Sequence, residues 1–428
     1  MRKSGRLIFI SILAMVTLVL FTACQKTLPT DANTQLTSSN ISSSVSSEFP
    51  KEAVFVKDQL RGMWFPYYEI GNMYKSAEGF EASFEKALDK CAQFGINNVY
   101  VHVRSHCDAY YKSDIFPWSA YLTGTQGADP GIDPLQIMID KAHSRGMKLH
   151  AWINPYRVAL VSDDLSLLSD SNPAKIWLTD EDEDNNSYVV GYDSGLYLNP
   201  AEICVQLLVA EGVREIVQNY QVDGIHFDDY FYPTTEEYFD ELHYAAYRSE
   251  VSSNPLELAD WRRANVSAMV GGVYNAIKNI NPDCVFGISP MASIENNFNT
   301  VYADVKSWLD NGCVDYIMPQ LYFGFEYPQE NLRFDSLLNQ WCELFKDYDA
   351  QLIVGLGAYR IGSTDEDNIE WSQKNDILAR QADLINKTDS VSGWVIYSYS
   401  SFFEEKEGNT AEREAFFSVI KSPENNGE

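Results

Sequence analysis

The sequence predicts a single (β/α)8 TIM barrel with long βα loops. Three observations carry that expectation. Eight short apolar runs recur along the chain, amphipathic segments separate them, and glycines or Asn-Pro pairs punctuate the boundaries. Strand and helix in alternation require parallel pairing with crossover helices, and eight repeats of the unit favour a closed barrel over an open sheet.

The expected strands are 59–65, 96–104, 147–154, 223–228, 285–289, 314–320, 351–357 and 393–399. Amphipathic stretches at 84–94, 135–145, 205–220, 261–280 and 301–311 supply helices between them. Gly95, Gly146 and Gly312 stand near three helix ends, where a left-handed capping residue is expected, and Asn199-Pro200 and Asn281-Pro282 mark further breaks. A body of roughly 370 residues exceeds a typical barrel of about 250. The surplus is expected in two loops, between Asp108 and Ile132 and between Arg157 and Leu198.

The barrel is expected over residues 53–421. Ahead of it, Arg2, Lys3 and Arg6 precede an apolar run from Leu7 to Phe21, and Thr22-Ala23-Cys24 follows. This pattern reads as a secretory signal over 1–23. Its small-small-Cys ending resembles a bacterial lipobox, which implies cleavage before Cys24, lipidation of that thiol and an extracytoplasmic, membrane-anchored protein. Residues 24–52 are rich in Ser, Thr and Asn and read as a flexible stalk, and 422–428 as a disordered tail.

With 61 acidic against 32 basic residues, the formal net charge of −29 excludes a nucleic-acid partner, because little is left to neutralise phosphates. The seven cysteines show no paired spacing, so beyond Cys24 they read as small buried hydrophobes rather than a disulfide framework or zinc ribbon. No cofactor motif is evident.

The most informative stretch runs from Val222 to Pro233. Ile225 and Phe227 should point to one face and His226 and Asp228 to the other, since side chains alternate along a strand. Asp228 and Asp229 then meet three aromatics, Tyr230, Phe231 and Tyr232. A carboxylate at a strand tip among tyrosines suits a site that protonates or attacks a sugar ring. The plain structural reading is an acidic turn capping the next helix.

In such a barrel the site lies at the carboxyl ends of the strands. Those ends offer Trp64; His102, Arg104 and Asp108; Trp152, Asn154, Tyr156 and Arg157; His226, Asp228, Asp229, Tyr230 and Tyr232; Ser289; Gln320, Tyr322 and Glu326; Tyr359; and Tyr397. Aromatics, amides, arginines and a few carboxylates describe a carbohydrate cleft, although some of these rings should simply fill the core. His102, His150 and His226 with Asp228 could in principle ligate a metal, but their spacing favours interior hydrogen-bonded histidines.

Several segments resemble the glycosyl hydrolase-like 10 family of bacterial lipoproteins. They are Arg61-Gly62-Met63-Trp64, Pro117 to Gly124, Leu149 to Arg157, the strand-four run, Phe286 to Pro290 and Asp315 to Tyr322. The resemblance spans nearly the whole body and implies a barrel glycoside hydrolase, with cell-wall glycans as the substrate class. Two segments depart from the family pattern: Leu321-Tyr322-Phe323 replaces Val-Tyr-Trp, and Met291 to Asn296 lacks the usual Trp-Arg, so sugar contacts on that loop should differ.

Glycosidases need two carboxyls, about 5–5.5 Å apart if retaining and about 6.5–9.5 Å if inverting. Asp228 is the expected nucleophile or base. Asp229 starts from the opposite face of the strand, and strand-end twist could bring it in. Glu326, on an aromatic loop expected to desolvate it, is the candidate acid, with a solvated loop glutamate as the plain alternative. Asp223 to Tyr230 superficially resembles a chitinase pattern but has Tyr230 where that pattern needs its acid, so the usual substrate-assisted arrangement is not expected. The rival is a sugar-binding lipoprotein with no activity, and a second carboxyl within reach of Asp228 discriminates the two.

Overall fold

Eight parallel strands close on themselves in the order Leu60–Phe65, Val391–Tyr397, Gln351–Gly357, Tyr316–Ile317, Val285–Ile288, Gly224–Phe227, Lys148–Ile153 and Asn98–Arg104. The computed structural model describes Phe55 and residues 59–251, 253–404 and 408–421. The expected leader with Cys24, the stalk over 24–52 and the tail over 422–428 lie outside the described residues. The barrel strands are β1 (Leu60–Phe65), β2 (Asn98–Arg104), β3 (Lys148–Ile153), β7 (Gly224–Phe227), β8 (Val285–Ile288), β9 (Tyr316–Ile317), β10 (Gln351–Gly357) and β11 (Val391–Tyr397). The helices that return the chain include α1 (Ala77–Gln93), α2 (Pro134–His143), α3 (Ile203–Asn219) and α4 (Leu258–Ile280).

Alternation along each strand sorts the apolar residues into two layers. Met63, Phe65, Val99, Val101, Leu149, Ala151, Ile225 and Phe227 face the helices and join the large outer core. Trp64, Tyr100, Trp152, Tyr316, Met318, Ile353 and Val395 form a separate cluster inside the barrel. The interior is therefore aromatic and packed. Gly95, Gly146 and Gly312 have φ of 64°, 69° and 62°, the left-handed conformation expected where helices stop.

Two strands depart furthest from expectation, and the others keep to within two residues of it. The sixth barrel strand shrinks to Tyr316–Ile317, because Pro319 offers no N–H to a ladder and beyond it only isolated bridges from Gln320 to Met291 and Gly355 persist. The last strand starts at Val391 and stops at Tyr397, since Tyr399 already opens a short helix, Tyr399–Phe403. The 157–198 excursion is not a plain loop. It folds into an antiparallel sheet of β4 (Arg157–Ala159), β5 (Val189–Tyr192) and β6 (Gly195–Leu198), in the order β4-β6-β5. Among the described residues no helix is long and apolar enough to cross a membrane.

Candidate active site

The site rises from a stack of rings inside the barrel. Tyr100 and His150 stack with centroids 4.4 Å apart, and His226 lies parallel to Tyr316 at 6.0 Å. Glycines make this possible: a Cβ on Gly224 would sit 2.3 Å from His150 Nδ1, and one on Gly287 would sit 2.2 Å from the Tyr316 ring. The Trp64 indole donates to His226 Nε2 at 3.2 Å. Since an indole N–H is only a donor, His226 carries its proton on Nδ1 and donates it to the Tyr316 hydroxyl at 3.1 Å. Burial holds the His226 pKa well below its usual range, so the ring is neutral and acts as a structural bridge in the cavity floor.

Immediately above, Asp228 is buried and pinned from β3. The Trp152 indole donates to its Oδ2 at 3.1 Å, and Asn154 Nδ2 donates to its Oδ1 at 3.0 Å. Asn154 is itself fixed, because its Oδ1 accepts the backbone N–H of Tyr156 at 3.2 Å and of Arg157 at 2.9 Å. Burial pushes the Asp228 pKa up to about 7; Arg157 opposes that rise, Asp229 adds to it, and the two side-chain donors oppose it. Asp229 turns the other way. Its Oδ1 accepts from Gln320 Nε2 at 3.0 Å, and Gln320 Nε2 also donates to the Ser289 carbonyl at 3.0 Å. Burial raises the Asp229 pKa as well. Strand-end twist thus does bring Asp229 into the site.

Both carboxylates line one cavity of about 220 Å3, with Trp64, Trp152, His226, Tyr230, Ser289, Gln320, Tyr322, Tyr359 and Tyr397 as the other walls. Tyr322 and Tyr397 stack at 5.8 Å, and Tyr359 meets both edge-on at 5.6 and 6.1 Å. A cis peptide bond joins Tyr397 to Ser398. At the rim the Arg157 guanidinium lies 4.4 Å over the exposed Tyr230 ring. Trp64 and Ser289 stand at strand ends on the cavity side, a position their sequence parity gives them. Asn154 as a clamp on Asp228 has no comparable sequence signal, because its bond is made to a residue 74 positions away.

Several expected sugar contacts prove to be scaffold. Arg104 is 1% exposed and points away from the cavity, with its guanidinium 4.7 Å over Phe116 and against Gly212 of α3, because the register shifts between His102 and Arg104. Asp108 is buried, accepts from Gln126 at 3.3 Å and has its pKa raised to about 6 by burial, away from the cavity lining. Tyr156 is core, packed against Phe231 at 6.5 Å. Tyr232 lies 5.1 Å from the Arg262 guanidinium, which makes a buried ion pair with Asp240 at 2.6 Å. His102 stacks flat on Trp152 at 3.7 Å and supports the cavity wall from behind.

Glu326 does not stand where the expected acid would. Its carboxylate is solvated and bonded to Lys374, and that ammonium holds its pKa below the usual range, the reverse of the desolvation expected of an acid. It does not line the cavity. The three interior histidines do not converge: His150 bonds Asn98 at 3.1 Å, His226 bridges Trp64 and Tyr316, and His102 stacks on Trp152. Among the described residues no three His, Cys, Asp or Glu side chains are grouped as metal ligands would be.

The profile of a family described as glycosyl hydrolase-like 10 matches residues 59–373. Glycosyl hydrolase YngK of Bacillus subtilis (strain 168) is 34% identical over 331 residues, covering 73% of this chain and 62% of that protein. Glycosyl hydrolase DigH of Escherichia coli (strain K12) is 31% identical over 376 residues, covering 82% and 83%. The chain thus spans less than two thirds of the length of the Bacillus relative. The PgaB (BpsB) glycoside hydrolase domain from Bordetella bronchiseptica superposes with a TM-score of 0.57 at 12% identity, over 85% of this chain and 99% of that one. The catalytic domain of β-amylase from Paenibacillus polymyxa gives 0.56 at 12% identity, over 86% and 100%. At such identities these two structures share the fold.

Proposed function

The chain belongs to the glycosyl hydrolase-like 10 family, and from that premise we propose that it is a glycoside hydrolase that cleaves O-glycosidic bonds of peptidoglycan or a related cell-wall glycan, using Asp228 and Asp229. The observation that carries this reading is Asp228 itself: a buried carboxyl with a pKa near neutrality, held by Trp152 and Asn154 and coupled to Asp229 in an aromatic cavity. Perturbed, positioned carboxyls in a cleft are what acid-base chemistry on a sugar requires. Tyr322, Tyr359, Tyr397 and Trp64 offer ring faces to a pyranose, and Arg157 offers donors to its hydroxyls. The leader pattern ending in Cys24 supports an extracytoplasmic lipoprotein, and Cys24→Ala should release the protein from the membrane fraction.

One observation favours the binding-lipoprotein reading instead. No carboxyl among the described lining residues faces Asp228 from the opposite wall. The test is incubation with peptidoglycan strands, with and without stem peptides, followed by mass spectrometry of released fragments beside an Asp228→Asn control. Fragments that disappear in the variant establish the hydrolase, and tight retention on the glycan without fragments establishes the binding protein.

A further inference from the structure

In the closed strand order, β7 and β11 lie four strands apart in either direction, so the wall opposite Asp228 and Asp229 is built by β11 with its neighbours β1 and β10. That wall presents Tyr397, Trp64 and Tyr359. The two carboxyls are consecutive residues on the other wall. A protein nucleophile or an inverting base must attack the anomeric carbon from the face opposite the acid. Neighbours on one strand end cannot place a sugar ring between them in that way. They can instead serve adjacent positions of one ring, the leaving oxygen at C1 and the substituent at C2.

The two carboxyls also differ in what they still offer. Both Asp228 oxygens accept N–H donors, from Trp152 and Asn154, which favours the ionised, accepting form of the group. On Asp229, Gln320 occupies Oδ1, and among the described residues Oδ2 receives no side-chain donor. Its second oxygen is available to carry a proton.

We propose that the substrate supplies the nucleophile: the sugar in the cavity carries a 2-acetamido group whose carbonyl oxygen attacks C1, with Asp228 accepting the acetamide N–H and Asp229 acting as the acid. This deepens the hydrolase reading above and rests on it. In the first step the acetamide oxygen forms a bond to C1 as the C1–O glycosidic bond breaks, and the Asp229 proton passes to the departing oxygen. The result is a bicyclic oxazolinium whose N–H stays on Asp228. In the second step water adds to C1 and gives its proton to Asp229, and the C1–O bond of the ring opens to restore the acetamide. No oxidant, metal or further reactant is needed, and two inversions at C1 give net retention. The departure at Tyr230 from the chitinase pattern removes that pattern's acid, and Asp229 takes the place.

The experiment compares the purified protein on N-acetylated glycan strands and on the same strands after chemical de-N-acetylation, with a 2-methylthiazoline sugar as an oxazoline mimic. Expected are retention of anomeric configuration, competitive inhibition by the thiazoline, and a loss of about a thousandfold in kcat/KM on de-N-acetylated strands, the order expected when an intramolecular nucleophile is removed. Asp229→Asn should still bind the thiazoline and should be restored by leaving groups of low pKa, whereas Asp228→Asn should bind it at least tenfold more weakly and show no such restoration. Thermal unfolding of both variants separates these losses from misfolding. Inversion, or equal rates on both strands with no thiazoline inhibition, overturns the neighbouring-group step while leaving the hydrolase reading intact. No cleavage of any strand by the native protein removes the hydrolase reading, and the step with it.

Discussion

Trp152 holds Asp228 by a hydrogen bond from indole Nε1 to Oδ2 at 3.1 Å, while its ring lies flat on His102 at 3.7 Å. The donor and the stack are separable. Trp152→Phe keeps an aromatic ring on His102 but removes the donor. Hydrogen bonds to a charged acceptor contribute about 1.5–3 kcal/mol, so kcat/KM on a cleaved glycan should fall by roughly 10- to 150-fold. Because the indole favours the ionised carboxyl, the acidic limb of the pH-rate profile should move to higher pH. An unchanged limb would show that Asp228 does not need its charge in turnover.

Asp228 should also make stability depend on pH, and the sign follows from the direction of its shift. Its folded pKa of about 7 lies above the unfolded carboxyl value of about 3.9. The folded state therefore holds the proton more tightly, and the stability this contributes is fully present below about pH 4 and lost as pH rises through 7. Asp228→Asn mimics the neutral form at every pH. The variant should match the native protein in thermal unfolding near pH 4 and exceed it by a few degrees at pH 8, where the native carboxylate is ionised in a buried site. Equal differences at both pH values would mean that Asp228 is ionised throughout.

Glu326→Gln should leave turnover within about twofold of the native protein, since the carboxyl is solvated and its partner is Lys374. The unfolding temperature should move by no more than about a degree. A loss of activity comparable with that of Asp228→Asn would return Glu326 to the chemistry and point to a loop movement that brings it over the cavity.

The barrel was legible because period-two alternation and helix-ending glycines are local signals, and the eight strands stand where those signals lie. Asp228 was legible for the same reason: its parity with His226 puts it at the mouth. Several expected contacts fell elsewhere because their placement depends on events the local pattern does not record. The register shift after His102 turns Arg104 outward, and a distant ion pair claims the space beside Tyr232. Glu326 lies in an aromatic stretch, but Lys374, 48 positions away, keeps it in solvent. The sheet formed by β4, β5 and β6 was hidden inside a polar excursion whose strands are only three or four residues long.

Gly224 should be intolerant of any side chain although its backbone is ordinary strand. A Cβ there would meet His150 Nδ1 at 2.3 Å and Cε1 at 2.9 Å, and His150 is held between Tyr100 and its bond to Asn98. Gly224→Ala should cost about 1–3 kcal/mol, the usual range for overpacking a filled core, measured by denaturant unfolding. Gly272 in α4 has nothing within 4 Å of its Cβ position and serves as the control, where alanine should stabilise.

The loop that follows β7 is organised from beneath by one buried pair. Arg262 of α4 places Nη2 2.6 Å from Asp240 Oδ1, Nε at 3.0 Å from Oδ2, and Nη1 3.0 Å from the Tyr302 hydroxyl, with both members of the ion pair fully buried. Its Nη groups also bond the carbonyls of Thr235 and Glu236, so one side chain ties that excursion to the barrel. Arg262→Leu would strand Asp240 as a buried charge without its partner, at a cost of about 3–5 kcal/mol. The double variant Arg262→Leu with Asp240→Leu removes both charges and should recover much of that stability, because the penalty lies in the unpaired ion. It should not recover turnover, since the carbonyls of Thr235 and Glu236 lose their donors and the segment leading from Asp229 to Tyr232 loses its anchor. Recovery of both stability and kcat/KM would show that the pair serves packing alone.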